Sequence, residues 1–151
     1  MTALQILNEM AFERLAAIST MPTHCIPKPK FTDSSANNLT KAIIKYIELM
    51  GYQAERISNT GRYVDSKKMV KDIQGTTKQI GSGQYIPGTG TKGTADISST
   101  IKGKSVKIEV KFGKDRQSEA QKDYQSTIER SGGIYYIAKD FETFYNFYQK
   151  L

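Results

Sequence analysis

Residues 94–111 constrain the fold more than any other stretch. Thr94 to Ile101 and Lys104 to Lys111 are two alternating segments around Gly103. In the second, Val106, Ile108 and Val110 face one side of a strand. Lys107, Glu109 and Lys111 face the other, because side chains alternate with period two. A hairpin that turns over Lys102-Gly103 sets Ile101 opposite Lys104 and, in the same register, Asp96 opposite Glu109. Opposed residues share a face, so both carboxylates and Lys111 line one patch. Directly opposed Cβ atoms lie about 4.5–5.5 Å apart, where like charges repel. A divalent cation offsets that repulsion, and Mg²⁺ is usually held by one or two carboxylates plus substrate phosphate. Lys111 beside it would steady an attacking water or neutralise phosphate charge. A three-residue loop would shift the register by one and separate the two faces.

The flanking sequence supplies helices. Ser118 begins a helix that runs to about Arg130 and ends at Gly132-Gly133. Ile134 to Ala138 reads as a short apolar strand, and Asp140 caps a last helix with Phe141, Phe144, Tyr145 and Tyr148. Upstream, Leu39, Ile43, Tyr46, Ile47 and Met50 form one apolar helical face, capped by Ser35 or Asn37 and closed by Gly51. Tyr52 to Ile57 reads as a strand, with Asn59-Thr60-Gly61 as a turn into Arg62 to Val64. Residues 67–80 are ambiguous and include a reading as two short strands around Gly75. Residues 74–94 hold six of the twelve glycines and read as a long mobile loop. Gly93 is followed by Thr94 rather than Lys, which excludes a Walker-type phosphate loop.

Thr2 and Gln5 form a capping box for an N-terminal helix, with Leu4, Leu7, Met10, Ala11 and Leu15 at helical spacing. Three of the four prolines (Pro22, Pro27, Pro29) then mark an extended linker over residues 20–36. The first helix is expected on the core or on a second subunit, and the linker allows it to sit apart from the main body. The order of elements points to an α/β or α+β sandwich.

Composition removes several chemistries. One cysteine, Cys25, excludes an internal disulfide or a cysteine-based zinc cluster. One histidine, His24, excludes HExxH zinc sites and disfavours a His-dependent triad. No stretch approaches a membrane span, and residues 1–19 lack the basic start and apolar run of a signal peptide. A cytoplasmic protein is the default. The net charge is +7, of which residues 52–151 carry +6, so an anionic partner is expected there.

Asp and then Glu-x-Lys on adjacent strands, followed by a helix, resembles the PD-(D/E)XK nuclease superfamily. The closer resemblance is to its virus-type replication-repair nuclease (VRR-NUC) branch. The matching segments are Gly93-Thr94-Ala95-Asp96-Ile97, Ile108-Glu109-Val110-Lys111 and Ser118-Glu119-Ala120-Gln121. Arg56-Ile57-Ser58-Asn59-Thr60-Gly61 is similar to that family's Arg/Asn/Gly segment. The resemblance covers roughly residues 36–139. It implies a restriction-endonuclease-like α/β fold, a mixed central sheet flanked by helices and preceded by an N-terminal helical arm. Residues 1–35 would be that helix and the Pro-rich linker, and residues 36–151 the nuclease-like domain.

The same resemblance implies roles. Asp96 and Glu109 would hold Mg²⁺ or Mn²⁺, with the Val110 carbonyl as a further ligand. Lys111 would assist the water nucleophile, and Gln121 would support the site or contact the strand backbone. The reaction would be metal-dependent hydrolysis of DNA phosphodiester bonds. Branched or junction DNA in phage or mobile-element replication or repair is the implied setting. A homodimer is allowed, because junction-cutting relatives need two sites. The chain departs from the family at Ala36-Asn37-Asn38-Leu39, where members often carry a Glu. Asn38 offers only a neutral oxygen, which leaves a second metal open.

Several residues carry two readings. Ser118 and Gln121 form a capping box, so Gln121 has a purely local role available as well as a site role. Arg56, Asn59, Arg62, Lys92, Lys114 and Arg116 read either as phosphate contacts or as a solvated charge cluster. Lys107 reads as a solvated strand lysine. The late aromatics, Tyr135 among them, read as core rather than as a base-stacking platform. The alternative function is a nucleic-acid-binding module on the same fold that does not cut. A basic assembly protein is a third reading.

Overall fold

A computed structural model describes residues 1–58, 61–88 and 90–151. In chain order it contains α1 (Ala3–Ile18), a 3₁₀ turn (Thr23–Cys25), α2 (Ala36–Leu49) and β1 (Gln53–Arg56). Then come β2 (Arg62–Asp65), β3 (Lys68–Lys71), β4 (Thr77–Ile80) and β5 (Gly83–Ile86). Last are β6 (Ile97–Ile101), β7 (Lys104–Val110), α3 (Glu119–Arg130), β8 (Ile134–Ala138) and α4 (Phe141–Gln149). The elements fall into two compact units, residues 1–57 with 93–151, and residues 58–92.

The first unit is a mixed α/β layer structure. Its sheet has the order β1-β6-β7-β8, antiparallel except for the parallel pair β7-β8. The β6-β7 hairpin has the expected register, with Ile101 opposite Lys104 and Ile97 opposite Ile108. Its two-residue turn puts Lys102 at φ 50° and Gly103 at φ 77°, the left-handed pair of a type I′ turn. Glycine makes the second position free of strain, and Lys102 bears the cost of the first.

One face of this sheet carries the core. Ile97, Ile101, Val106, Ile108, Val110 and Ala138 pack with Leu39, Ile43, Tyr46 and Ile47 of α2 and with Phe141, Phe144 and Tyr148 of α4. Tyr46 meets Phe141, Phe144, Tyr145 and Tyr148 edge-on, with centroids 5.0–6.3 Å apart. Each fully buried aromatic of this kind contributes about 1.5–3 kcal/mol. The caps follow the sequence: Ser35 for α2, Ser118 for α3 and Asp140 for α4.

Of the two places expected for α1, the core is the one observed. Ala3 and Leu7 belong to the core cluster, and α1 touches α2 and α4. The Ala3 amide donates to Glu142 Oε2 at 2.9 Å, joining the α1 N-terminus to α4. The linker does not release the helix. Asn8 holds both the amide and the carbonyl of Phe31, and Asp33 Oδ2 accepts from the Phe141 amide. Residues 1–35 and 36–57 therefore share one compact unit.

The second unit is a two-stranded ribbon. β2 pairs antiparallel with β5 and β3 with β4, and one register runs through both, from Arg62 opposite Ile86 to Lys71 opposite Thr77. Ser66 and Ser82 bridge the two ladders. The reversal at residues 72–76 is built on the Asp72 side chain, which accepts from the Gln74 and Thr76 amides, with Gly75 at φ 81°. The two short strands around Gly75 are present. The long mobile loop expected over 74–94 is not, since β4 and β5 lie inside it. The strands there are paired with partners up to 24 residues earlier, and neither ladder has a buried face that periodicity would reveal.

Candidate active site

The open end of the β6-β7 hairpin gathers the candidate residues. Asp96 lies just before β6, and its Oδ2 accepts from the Val110 amide at 2.9 Å. Its carbonyl accepts from the Ile57 amide at 2.8 Å, which fixes the chain where β6 stops pairing. Asp96 Oδ1 has no hydrogen-bond partner among the described residues.

Glu109 is not on a solvated face. It is 2% exposed, although it sits on the polar side of β7. Lys111 Nζ lies 3.0 Å from Glu109 Oε1. Gln121 Nε2 donates to the same oxygen, and the Tyr135 hydroxyl donates to Oε2 at 3.4 Å. Lys111 Nζ also donates to Gln121 Oε1 at 2.9 Å, which closes a ring of three side chains. Burial pushes the Glu109 carboxyl up from its ordinary range, and the charge of Asp96 adds to this, while Lys111 and Tyr135 pull it back. Burial and the Glu109 charge hold the Tyr135 phenol far above its usual value, so it stays a proton donor.

Gln121 fills both of its readings. Its Oε1 accepts from the Ser118 amide at 2.9 Å and the Ser118 hydroxyl accepts from the Gln121 amide, a complete capping box. Its amide nitrogen meanwhile holds Glu109. Gly93 explains how α3 comes so close. At φ 79° a Cβ there would run into the Ala120 carbonyl and stand 2.8 Å from the Gln121 amide. The Gly before Asp96 thus lets the chain pass against the first turn of α3.

Asp96, Glu109, Val110, Lys111 and Gln121 therefore come together. Arg56 is exposed and donates to Asn37 Oδ1 at 2.6 Å. Asn38, named as a neutral oxygen for the site, instead turns its amide to Thr32 and Ser34 of the linker. Lys114 and Arg116 are exposed between β7 and α3. Arg62 and Lys92 are exposed residues of the second unit, and Asn59 lies outside the described residues. Lys107 is half-buried and donates to Ser98 Oγ at 2.5 Å. It is thus tied down rather than solvated.

Tyr135 was read only as a core aromatic. Alternation along Ile134–Ala138 does put it on the face opposite Tyr136 and Ala138, but only the parallel β7-β8 register brings it to Glu109. Tyr124 of α3 lies edge-on to it at 6.3 Å.

The donor set suits a hard cation in kind: two carboxylates, one with an oxygen still open, and strand carbonyls. Among the described residues no group of three or more His, Cys, Asp or Glu comes together, so any further ligands would be backbone, water or substrate. No described helix is long and apolar enough to cross a membrane. No protein-family model matches the chain, and no curated protein matches it in sequence.

Proposed function

We propose that this chain is a metal-dependent nuclease on a restriction-endonuclease-like fold, hydrolysing DNA phosphodiester bonds. The observation that carries the reading is Asp96 held by the amide of Val110, the residue after Glu109, at the open end of one hairpin, with Lys111 Nζ 3.0 Å from Glu109. Two carboxylates at one strand end suit a divalent cation, which would offset their mutual repulsion. Asp96 and Glu109 would hold Mg²⁺ or Mn²⁺, with the Val110 carbonyl as a further oxygen. Such an ion polarises a phosphate and lowers the pKa of bound water.

The chain's own residues supply the rest. The Val110 amide fixes the Asp96 carboxylate. Gln121 and Tyr135 orient Glu109 from both of its oxygens. Lys111 Nζ, beside Glu109, would offer positive charge to a phosphate oxygen or an attacking water. Branched or junction DNA, a phage or mobile-element setting and a homodimer rest on the resemblance of the motifs.

A second reading, binding without cutting, is favoured by one observation. The first turn of α2, Ala36-Asn37-Asn38-Leu39, carries no carboxylate, and its two asparagine side chains are bonded to Arg56, Thr32 and Ser34. Metal binding separates the two. Titration calorimetry with Mn²⁺ should show binding to the wild type that is lost in Asp96→Asn and Glu109→Ala. Absence of Mn²⁺ binding by the wild type would favour the non-cutting module.

A further inference from the structure

The ribbon of residues 58–92 carries a second surface. It holds six basic residues and two acidic ones, a net +4 of the chain's +7. Its ladder sets Tyr63 directly opposite Tyr85, and these rings are 62% and 61% exposed. Both rings lie across the neighbouring strand above a glycine. A Cβ at Gly83 would run into the Tyr63 ring, and one at Gly61 into the Tyr85 hydroxyl. Each glycine thus leaves room for a ring to lie over backbone, with its outer face open.

Basic residues lie along the same ribbon. Arg62 lines a cleft of about 270 Å³ with Gly61, Ile86, Pro87 and Gly88. Lys67, Lys68 and Lys71 follow along the strand and are exposed. The two acids are occupied locally: Asp65 Oδ1 accepts from the Lys67 amide, and Asp72 pairs with Lys78 at 3.2 Å. A two-stranded ribbon without a core is marginal in water and gains from a partner. A second copy would set +4 against +4, so the charge favours a polyanion.

We propose that this ribbon binds unpaired nucleic acid, with Tyr63 and Tyr85 stacking on bases and Lys67 and Lys71, on the same face of the ladder, holding phosphates. Aromatic rings tolerate any base, and basic side chains track the backbone without reading sequence. The inference goes beyond the proposed hydrolysis and uses none of its residues. It is therefore tested in EDTA, where cleavage plays no part, and a failure of the metal site leaves it intact.

The probe is fluorescein-labelled oligothymidylate, alone or annealed to oligoadenylate. Anisotropy should show tighter binding to the single strand. Tyr63→Leu and Tyr85→Leu keep a side chain over each glycine but remove the ring. Each should weaken single-strand binding about tenfold, while Tyr63→Phe and Tyr85→Phe should bind like wild type. Lys67→Glu with Lys71→Glu should flatten the salt slope. The chain has no tryptophan, so the Tyr85→Trp variant reports from the ribbon alone. Its emission should be quenched by the oligonucleotide. Unquenched emission, or Leu variants that bind like wild type, would overturn the proposal. So would Leu variants that change only the sedimentation of the protein, which would make the face a contact between copies of the chain.

Discussion

The Tyr135 hydroxyl reaches Glu109 Oε2 across the parallel β7-β8 pair, 3.4 Å away, and both groups are buried. This phenol is the only described donor to that oxygen apart from whatever binds at the site. Removing it leaves Glu109 held at Oε1 alone, by Lys111 and Gln121. Tyr135→Phe should preserve the fold, cost about 1 kcal/mol in denaturant unfolding, and weaken Mn²⁺ binding roughly tenfold or more. Unchanged Mn²⁺ affinity would reduce Tyr135 to a packing residue.

Gln121 serves a cap and a carboxylate together, and two variants divide these roles. Ser118→Ala removes the cap hydroxyl and should cost about 1 kcal/mol of stability with little effect on cleavage. Gln121→Ala should cost a similar amount and also lower kcat, because Glu109 and Lys111 both lose a partner. Equal kcat values in the two variants would leave Gln121 with its cap alone.

Alkaline stability should report the α2-α4 contact. Burial pushes the Tyr46 phenol up from 10.0 to about 12, helped by nearby Tyr145 and Tyr148. Below pH 10 both folded and unfolded chains keep this proton, and the contribution is complete. Above it the unfolded chain ionises first, so stability is lost as pH rises from about 10 through about 12. The loss from this group is about 2–3 kcal/mol. Urea unfolding at about pH 9 and about pH 11.5 measures it, and Tyr46→Phe should lessen the pH dependence.

Much of the first unit was legible because local chemistry agreed with the final pairing. A two-residue turn at Lys102-Gly103 fixes the hairpin register, and the Val110 and Ile57 amides then hold Asp96 where the ladder ends. Ser35, Ser118 and Asp140 mark their helices because a side-chain oxygen must satisfy the first free amides. What escaped the sequence depends on distant partners. Glu109 stands on an alternating polar face, and only α3 and β8 make that face dry. Asn38 offers a polar oxygen on the first turn of α2, yet Thr32 and Ser34 capture its amide. Of the ribbon, the strand at Arg62 and the pair around Gly75 were legible, but β5 was not, because the strands bury neither face and alternation there carries no core signal.

The central claim is that Asp96 and Glu109 act on phosphodiesters through a divalent ion. Its most direct test is a cleavage assay on plasmid, single-stranded and four-way-junction DNA, in Mg²⁺, Mn²⁺ or EDTA, with wild type beside Glu109→Ala. The account predicts cutting by the wild type that needs metal and falls to background in Glu109→Ala, while salt-sensitive DNA binding persists in both. Cutting by Glu109→Ala at the wild-type rate, or wild-type protein that binds DNA and never cuts it with either metal, would contradict it.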